Sequence, residues 1–148
     1  MALIGNKEYF KGIGEIKFEG KESDNPLAFK YYNPEQVVAG KKMKDWFKFS
    51  IAYWHTFCGQ GSDPFGPGTQ NFAWDQHSDA LEAAKAKADA AFEFTTKMGF
   101  GYYCFHDFDL IREGATFAES ESRIAAITEV LKEKQAAYAA DITLTAGQ

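Results

Sequence analysis

Two aromatic-rich segments, each followed by a segment of helical periodicity, constrain the fold of this chain more than any other feature. Residues 46–57 (WFKFSIAYWHTF) have the composition of a strand. Residues 100–108 (FGYYCFHDF) form a continuous apolar run, which is typical of a strand buried on both faces. Strands that alternate with helices predict an α/β fold with a parallel sheet and right-handed crossovers.

The two helical segments have clear limits. Residues 79–98 are rich in Ala, Glu and Lys, and Gly99 is a natural stop. A second helix is predicted for about 117–139, and residues 141–145 (DITLT) are a possible third strand. The predicted buried stripes are Leu81, Ala84, Ala88, Ala91, Phe92 and Thr95 in the first helix, and Ile124, Ile127, Leu131 and Lys134 in the second.

The first forty-five residues are polar and aromatic, with Gly and Pro interruptions, and are predicted to form an irregular extension (1–45) that wraps on something larger. Residues 16–18 could form a short strand. Asn33 and Pro34 suggest the start of a helix that ends near Gly40. Residues 59–68 hold four Gly and two Pro, which predicts a loop.

Length and charge exclude several classes of protein. The 148 residues suit one domain, and the net charge of −5 argues against a nucleic-acid binder or an electrostatic membrane anchor. The sequence shows neither the apolar region of a signal peptide nor a run long enough to span a membrane, so a cytoplasmic protein is expected. Cys58 and Cys104 lie in aromatic runs and are expected to be buried, reduced thiols.

Two α/β architectures remain open, a small open sheet and a slice of a (β/α)₈ barrel. A whole barrel needs about 250 residues, so this chain cannot form one by itself. No G-x-G-x-x-G follows the first strand, which leaves a dinucleotide-binding sheet without support.

The carboxyl ends of parallel strands are where functional groups gather in such folds. His106 and Asp109 follow the second strand, together with Asp107. A carboxylate three residues after a His can fix the imidazole tautomer for acid–base work, although H-x-x-D alone is a weak pattern. The acidic residues Glu113, Glu119 and Glu121 open a helix and are explained by its dipole, so no metal site is predicted.

Aromatic residues near the first strand have two interpretations. Trp54 and Phe57 could pack in the core, or they could form the apolar wall of a substrate pocket. Phe65 lies between Pro64 and Gly66 at a loop tip, where an exposed ring is often an anchor in a neighbouring subunit. His55 and His77 receive no functional role.

Four segments together carry a family resemblance: KEYFKGIGEIKFEG, NPLAFKYYNP, FSIAYWHTFCGQGSDPFGPGT and YYCFHDFDL. They resemble the N-terminal region of xylose isomerases of the bacterial class with a long N-terminal extension, over roughly residues 7–135. That family is a tetrameric (β/α)₈ barrel that interconverts D-xylose with D-xylulose and glucose with fructose. Two divalent metals, magnesium, manganese or cobalt, support its hydride shift.

The resemblance implies roles for four residues. His106 would contact the sugar ring oxygen and assist ring opening, and Asp109 would be its hydrogen-bonded carboxylate. Trp54 would form part of the wall that excludes water from the hydride, and Phe65 would reach the active site of the neighbouring subunit. One departure is Arg112, which stands where the family commonly has Pro.

The resemblance also sets what the chain is expected to lack. It fades after about residue 135, and the family's metal ligands and catalytic lysine come from later strands, so residues 46–148 are expected to form about two to three β-α units without metal. The chain alone is expected to be inactive and only marginally stable. Its expected partners are an aldose and either further copies or a complementing C-terminal part, with no nucleic acid or membrane. A non-catalytic sugar-binding or interaction module and a nonfunctional truncation product are the alternatives.

Overall fold

The computed structural model describes residues 2–138 and the backbone of a strand at residues 143–146. Residues 2–36 form turns and irregular segments. The regular elements that follow are β1 (Val37–Val38), β2 (Lys41–Lys42), α1 (Met43–Trp46), β3 (Ser50–Ala52), α2 (Tyr53–Thr56), α3 (Ala80–Met98), β4 (Tyr102–Phe105), α4 (Asp107–Leu110), α5 (Phe117–Ala137) and β5 (Thr143–Ala146).

A three-stranded parallel sheet of order β3-β4-β5 organises the chain. Ile51 of β3 lies opposite Tyr103 of β4, which lies opposite Leu144 of β5. The long helix α3 connects the first pair of strands and α5 the second. The predicted α/β class and parallel pairing are therefore confirmed, and the described residues form an open sheet, not a closed barrel.

Helix α3 has the limits that the sequence predicts. The Asp79 carboxylate accepts hydrogen bonds from the backbone N–H groups of Leu81 and Glu82, each at 2.9 Å, and so caps the first turn. Gly99 ends the helix with φ of 70°, a left-handed conformation that glycine adopts without strain. The predicted stripe of α3 is buried except for Leu81, which is half-buried. In α5, Ile127 and Leu131 are buried as predicted, whereas Ile124 and Lys134 are half-buried.

The two predicted strands are shorter than expected, and the prediction for residues 46–57 is wrong at both ends. Trp46 belongs to α1, and α2 follows the three residues of β3 directly. The helical turn of α2 brings the rings of Tyr53 and Phe57 to 5.1 Å, and each is only 1% exposed. A strand would hold residues four apart at about 13 Å, so burial of this ring pair favours the turn.

Burial along the second strand also differs from the prediction. Only Tyr103 is fully buried in β4, which ends at Phe105, and residues 107–108 of the predicted strand belong to α4. Cys58 and Cys104 are free thiols but half-buried, so the expectation of full burial is wrong.

The helix predicted after Asn33 is also wrong, because a turn and a hairpin occupy residues 33–42. The Asn33 side chain accepts a hydrogen bond from Glu35 N–H at 3.0 Å, which closes a local turn and does not start a helix. Ala39 and Gly40 have φ of 48° and 80°, and these two residues reverse the chain between β1 and β2. Residues 16–18 form no strand, and Phe18 makes only an isolated bridge with Phe29.

Polar side chains of α3 hold the irregular N-terminal residues. Glu93 is fully buried, and its carboxylate accepts hydrogen bonds from the backbone N–H groups of Tyr9 at 2.7 Å and Phe10 at 2.9 Å. The Lys97 ammonium lies 2.8 Å from Glu93 and also donates to the Phe10 carbonyl at 2.7 Å. The N–H groups of both residues and the carbonyl group of Phe10 are therefore bonded to one helix.

Asp89 extends this network toward α5. Its carboxylate accepts a hydrogen bond from Asn6 N–H at 3.3 Å and pairs with the Lys134 ammonium of α5. Gly5 passes so close to the Asp89 carboxylate that a Cβ atom would overlap it. The extension, α3 and α5 thus share one set of polar contacts.

Burial alone would raise the pKa of Glu93. The hydrogen bonds from Lys97 and from the N–H groups of Tyr9 and Phe10 outweigh it, and the net pKa lies below the usual value of 4.5. Ionised Glu93 therefore stabilises the fold above that value. Its contribution is lost as the pH falls through the lowered pKa of the folded state.

Replacing this buried carboxylate tests the network. We expect Glu93→Gln to reduce the free energy of unfolding by about 3 kcal/mol, because the buried Lys97 ammonium loses its closest carboxylate partner. The matched control is Glu82→Gln, which removes an exposed partner of Lys85 on the same helix and should cost less than about 1 kcal/mol. Urea unfolding measures both values. The stability of Glu93→Gln should also fall less than that of the wild type on acidification, and an unchanged pH dependence would contradict this account.

Candidate functional site

The carboxyl ends of β3 and β4 lie side by side and form the candidate site. Ala52 pairs with Cys104 across the parallel ladder. Trp54 and His106 each lie two residues beyond that pair, so the register brings them together at the same end of the sheet. Their ring centroids are 4.7 Å apart. The sequence predicts both residues at strand ends, and the pairing register explains why they meet.

His106 and Asp109 form a hydrogen-bonded pair across the short helix α4. The Asp109 Oδ2 atom lies 2.9 Å from His106 Nδ1 and also accepts the His106 backbone N–H at 2.8 Å. The Asp109 side chain is 2% exposed and that of His106 is 34% exposed. A buried carboxylate thus holds the Nδ1 edge of a partly exposed imidazole.

Two aromatic rings contact the His106 imidazole. Phe108 stacks on it with a centroid distance of 5.3 Å and an interplanar angle of 3°, and Trp54 approaches it at a tilt of 46°. Phe108 is exposed and Trp54 is half-buried. His106 therefore has an apolar surround, which the sequence anticipates for Trp54 but not for Phe108.

Two polar residues that the sequence analysis missed hold the backbone of Asp109. The Lys87 ammonium donates to the Asp109 carbonyl oxygen at 2.9 Å, and the Cys58 thiol donates to the same oxygen at 3.5 Å. Burial raises the pKa of the Cys58 thiol and outweighs the nearby Lys87 ammonium, which keeps the thiol a donor. The helical spacing could have indicated that Lys87 faces inward, because it lies four residues from Ala83 and Ala91, which are both buried.

Phe65 does not join this group within the described chain. It lies in a tight turn, where its N–H bonds the Asp63 side chain at 2.8 Å and Asp63 pairs with Gly66. Its ring is 97% exposed. That exposure is what insertion into a neighbouring subunit requires, and the insertion itself stays a prediction.

Glu119, one of the acidic residues near the start of α5, serves local structure. Glu119 accepts a hydrogen bond from Ala115 N–H at 2.7 Å and pairs with Arg123 at 2.6 Å. Residues 2–138 and 143–146 contain no group of three or more His, Cys, Asp or Glu side chains that could hold a metal ion. Within the same residues, no helix combines the length and apolar character needed to cross a membrane.

Comparison with known proteins gives a consistent result over most of the chain. It is 56% identical over 133 residues to the xylose isomerase of Phocaeicola vulgatus and 55% identical to that of Bacteroides thetaiotaomicron. It is 54% identical over 134 residues to xylose isomerase 1 of Xanthomonas campestris pv. campestris. Each match covers 90% of this chain, which spans about 30% of the length of each relative. No family model matches the chain.

The similarity to proteins named xylose isomerase therefore extends along nine-tenths of the chain. The chain is a homologue of the xylose isomerases and is consistent with an N-terminal portion of them. This confirms the resemblance drawn from the four sequence segments.

The hydrogen bond to Asp109 predicts the tautomer of His106. With the ring in its neutral form, the proton should reside on Nδ1, because Asp109 Oδ2 is an acceptor, and Nε2 should be unprotonated. Nitrogen-15 NMR of the ring reports this directly. Asp109→Ala should shift the ring toward the Nε2–H form, whereas Asp107→Asn, which alters an exposed neighbour that accepts the Phe108 N–H, should not. A wild-type ring with its proton on Nε2 would contradict the geometry.

Proposed function

We propose that this chain supplies the sugar-ring side of an aldose–ketose isomerase site that converts D-xylose to D-xylulose and glucose to fructose. One observation carries the proposal: the His106–Asp109 pair lies beside Trp54 at the strand ends of a chain homologous to xylose isomerases. The names of the relatives support this substrate class. The ring-opening role comes from the resemblance and from the geometry of the pair.

Opening a cyclic aldose breaks the bond between the ring oxygen and C1. The anomeric hydroxyl loses its proton, the ring oxygen gains one, and a carbonyl forms at C1. Nε2 of His106 can take that proton and return it to the ring oxygen, because Nδ1–H is engaged by Asp109. The Asp109 carboxylate holds the ring in one orientation and stabilises the imidazolium that forms.

Trp54 and Phe65 would supply apolar surfaces to this site. Trp54 lies against the His106 ring and would exclude water from the reacting carbons. Phe65 would exclude water from the site of a neighbouring copy, since its ring is almost fully exposed on its own chain. A homo-oligomer, tetrameric in the family, or a complementing C-terminal part is therefore part of the proposal.

The two divalent metals of the family do not fit the residues described. Asp109 is buried and its Oδ2 is committed to His106, while Asp107 is exposed, and no three His, Cys, Asp or Glu side chains within the described residues form a metal-binding group. A hard divalent cation needs several converging oxygen ligands. We therefore assign ring opening, and not the hydride shift, to these residues.

The proposed setting is the first two to three β-α units of a (β/α)₈ barrel, with residues 1–45 as an extension and 46–148 as the barrel segment. The parallel order β3-β4-β5 and the helical crossovers support it. The cytoplasm is the proposed location.

An activity assay of the 148-residue polypeptide tests whether these residues support ring opening but not the hydride shift. We expect no conversion of xylose to xylulose with magnesium, manganese or cobalt, because the hydride shift needs charge stabilisation that this chain does not supply. The assay is run beside metal-binding calorimetry, with the Phocaeicola vulgatus enzyme as the positive control. Turnover above the uncatalysed background, or stoichiometric binding of two metals, would overturn this assignment.

The role of His106 is tested after complementation with the C-terminal part of that relative. His106→Ala should slow turnover of cyclic xylose by roughly 10²-fold, the usual scale for a lost acid–base group, and should slow an open-chain analogue much less. The control is His77→Ala, which changes an exposed loop histidine. Equal losses on both substrates would exclude a role in ring opening.

A further inference from the structure

The carbonyl oxygen of Asp109 is held by side chains from two distant parts of the chain. Lys87 reaches it from α3 with an N–O distance of 2.9 Å, and Cys58 reaches it from the residues after α2. The Lys87 Nζ and Cys58 Sγ atoms are themselves 3.6 Å apart. Three segments that are separate in sequence thus meet at one backbone oxygen.

Lys87 lies at the edge of the buried surface of α3. Its neighbours Ala86 and Ala88 are buried, and Lys87 itself is half-buried. Among the described residues it makes no ion pair, whereas Lys85, two positions earlier, pairs with Glu82 at 2.8 Å near solvent. A half-buried ammonium loses hydration, so a backbone carbonyl in this position is its main compensation.

The contact matters because Asp109 is hydrogen-bonded through both its side chain and its backbone carbonyl. Its carboxylate orients the His106 ring, and its carbonyl is fixed by Lys87 and Cys58. Helix α4 contains only four residues, so it has few internal hydrogen bonds with which to hold Asp109 in place. A hydrogen-bond donor on the long helix α3 therefore fixes the position of the His106–Asp109 pair relative to that helix.

We infer that Lys87 is a positioning residue for the His106–Asp109 pair, with the Cys58 thiol as a weaker second donor. The inference rests on the proposed function, because positioning has a purpose only if His106 moves a proton. The contact itself can be measured without catalysis, so failure of one proposal is distinguishable from failure of the other.

The test reads the His106 ring by NMR in the 148-residue chain and in three variants. Lys87→Met keeps the length of the side chain and removes the donor, Lys87→Arg keeps a charged donor, and Lys85→Met is the matched control on the same helix. The signals are the tautomer of the neutral ring and the exchange rate of its Nδ1 proton with water. The indole N–H of Trp74, which bonds the Phe57 carbonyl at 3.0 Å, reports whether the core is intact.

We expect Lys87→Met to speed exchange of the Nδ1 proton roughly tenfold, the factor that loss of one hydrogen bond to a charged group produces, and to increase the Nε2–H form. Lys87→Arg should stay near wild type and Lys85→Met should not change. A folded Lys87→Met with wild-type exchange, or Lys87→Arg as impaired as Lys87→Met, would overturn the inference. If Lys87→Met does not fold, the wild type decides: a scalar coupling across the hydrogen bond from Lys87 Nζ to the Asp109 carbonyl carbon supports the inference, and its absence refutes it.

Discussion

The buried carboxylate of Glu93 is the constraint on which the rest of the structure depends. Helix α3 can be buried around most of its circumference only if its charged side chains find partners, because an unpaired buried charge is far too costly. The N-terminal residues provide those partners with their backbone N–H groups, and Lys97 provides the opposite charge. Burial of α3 therefore depends on the irregular extension, which is an integral part of the fold.

Burial of α3 in turn supports the sheet and the site. Its Phe92 ring lies 5.4 Å from Tyr103 of β4, and its Phe94 ring lies 5.8 Å from Phe57 beyond α2. Such edge-on ring contacts fix the positions of neighbouring elements relative to one another, and they also bury apolar area. The small side chains of Ala84, Ala88 and Ala91 complete the buried surface of α3. The same helix carries Lys87, so the network that anchors the extension and the contact that holds Asp109 are built on one rigid element.

Much of the fold follows from local sequence signals. The limits of α3 are set by the Asp79 cap and by Gly99, both of which act within one turn of the chain. The stripe containing Ile127 and Leu131 likewise predicts the buried face of α5. One failure occurs where a local preference competes with packing. Tyr53 and Phe57 favour a strand by composition, but burial of both rings against the core selects a helical turn.

The site divides in the same way. The sequence by itself determined the His106–Asp109 pair, because residues three apart meet across a single turn, and it placed Trp54 and His106 at the ends of two parallel strands. Only the tertiary structure decided that Trp54 lies against the imidazole, since this depends on the register between β3 and β4. It also decided that Lys87 and Cys58 meet at the Asp109 carbonyl, because contacts between residues 22 and 51 positions apart are set by how whole elements pack and not by local pattern.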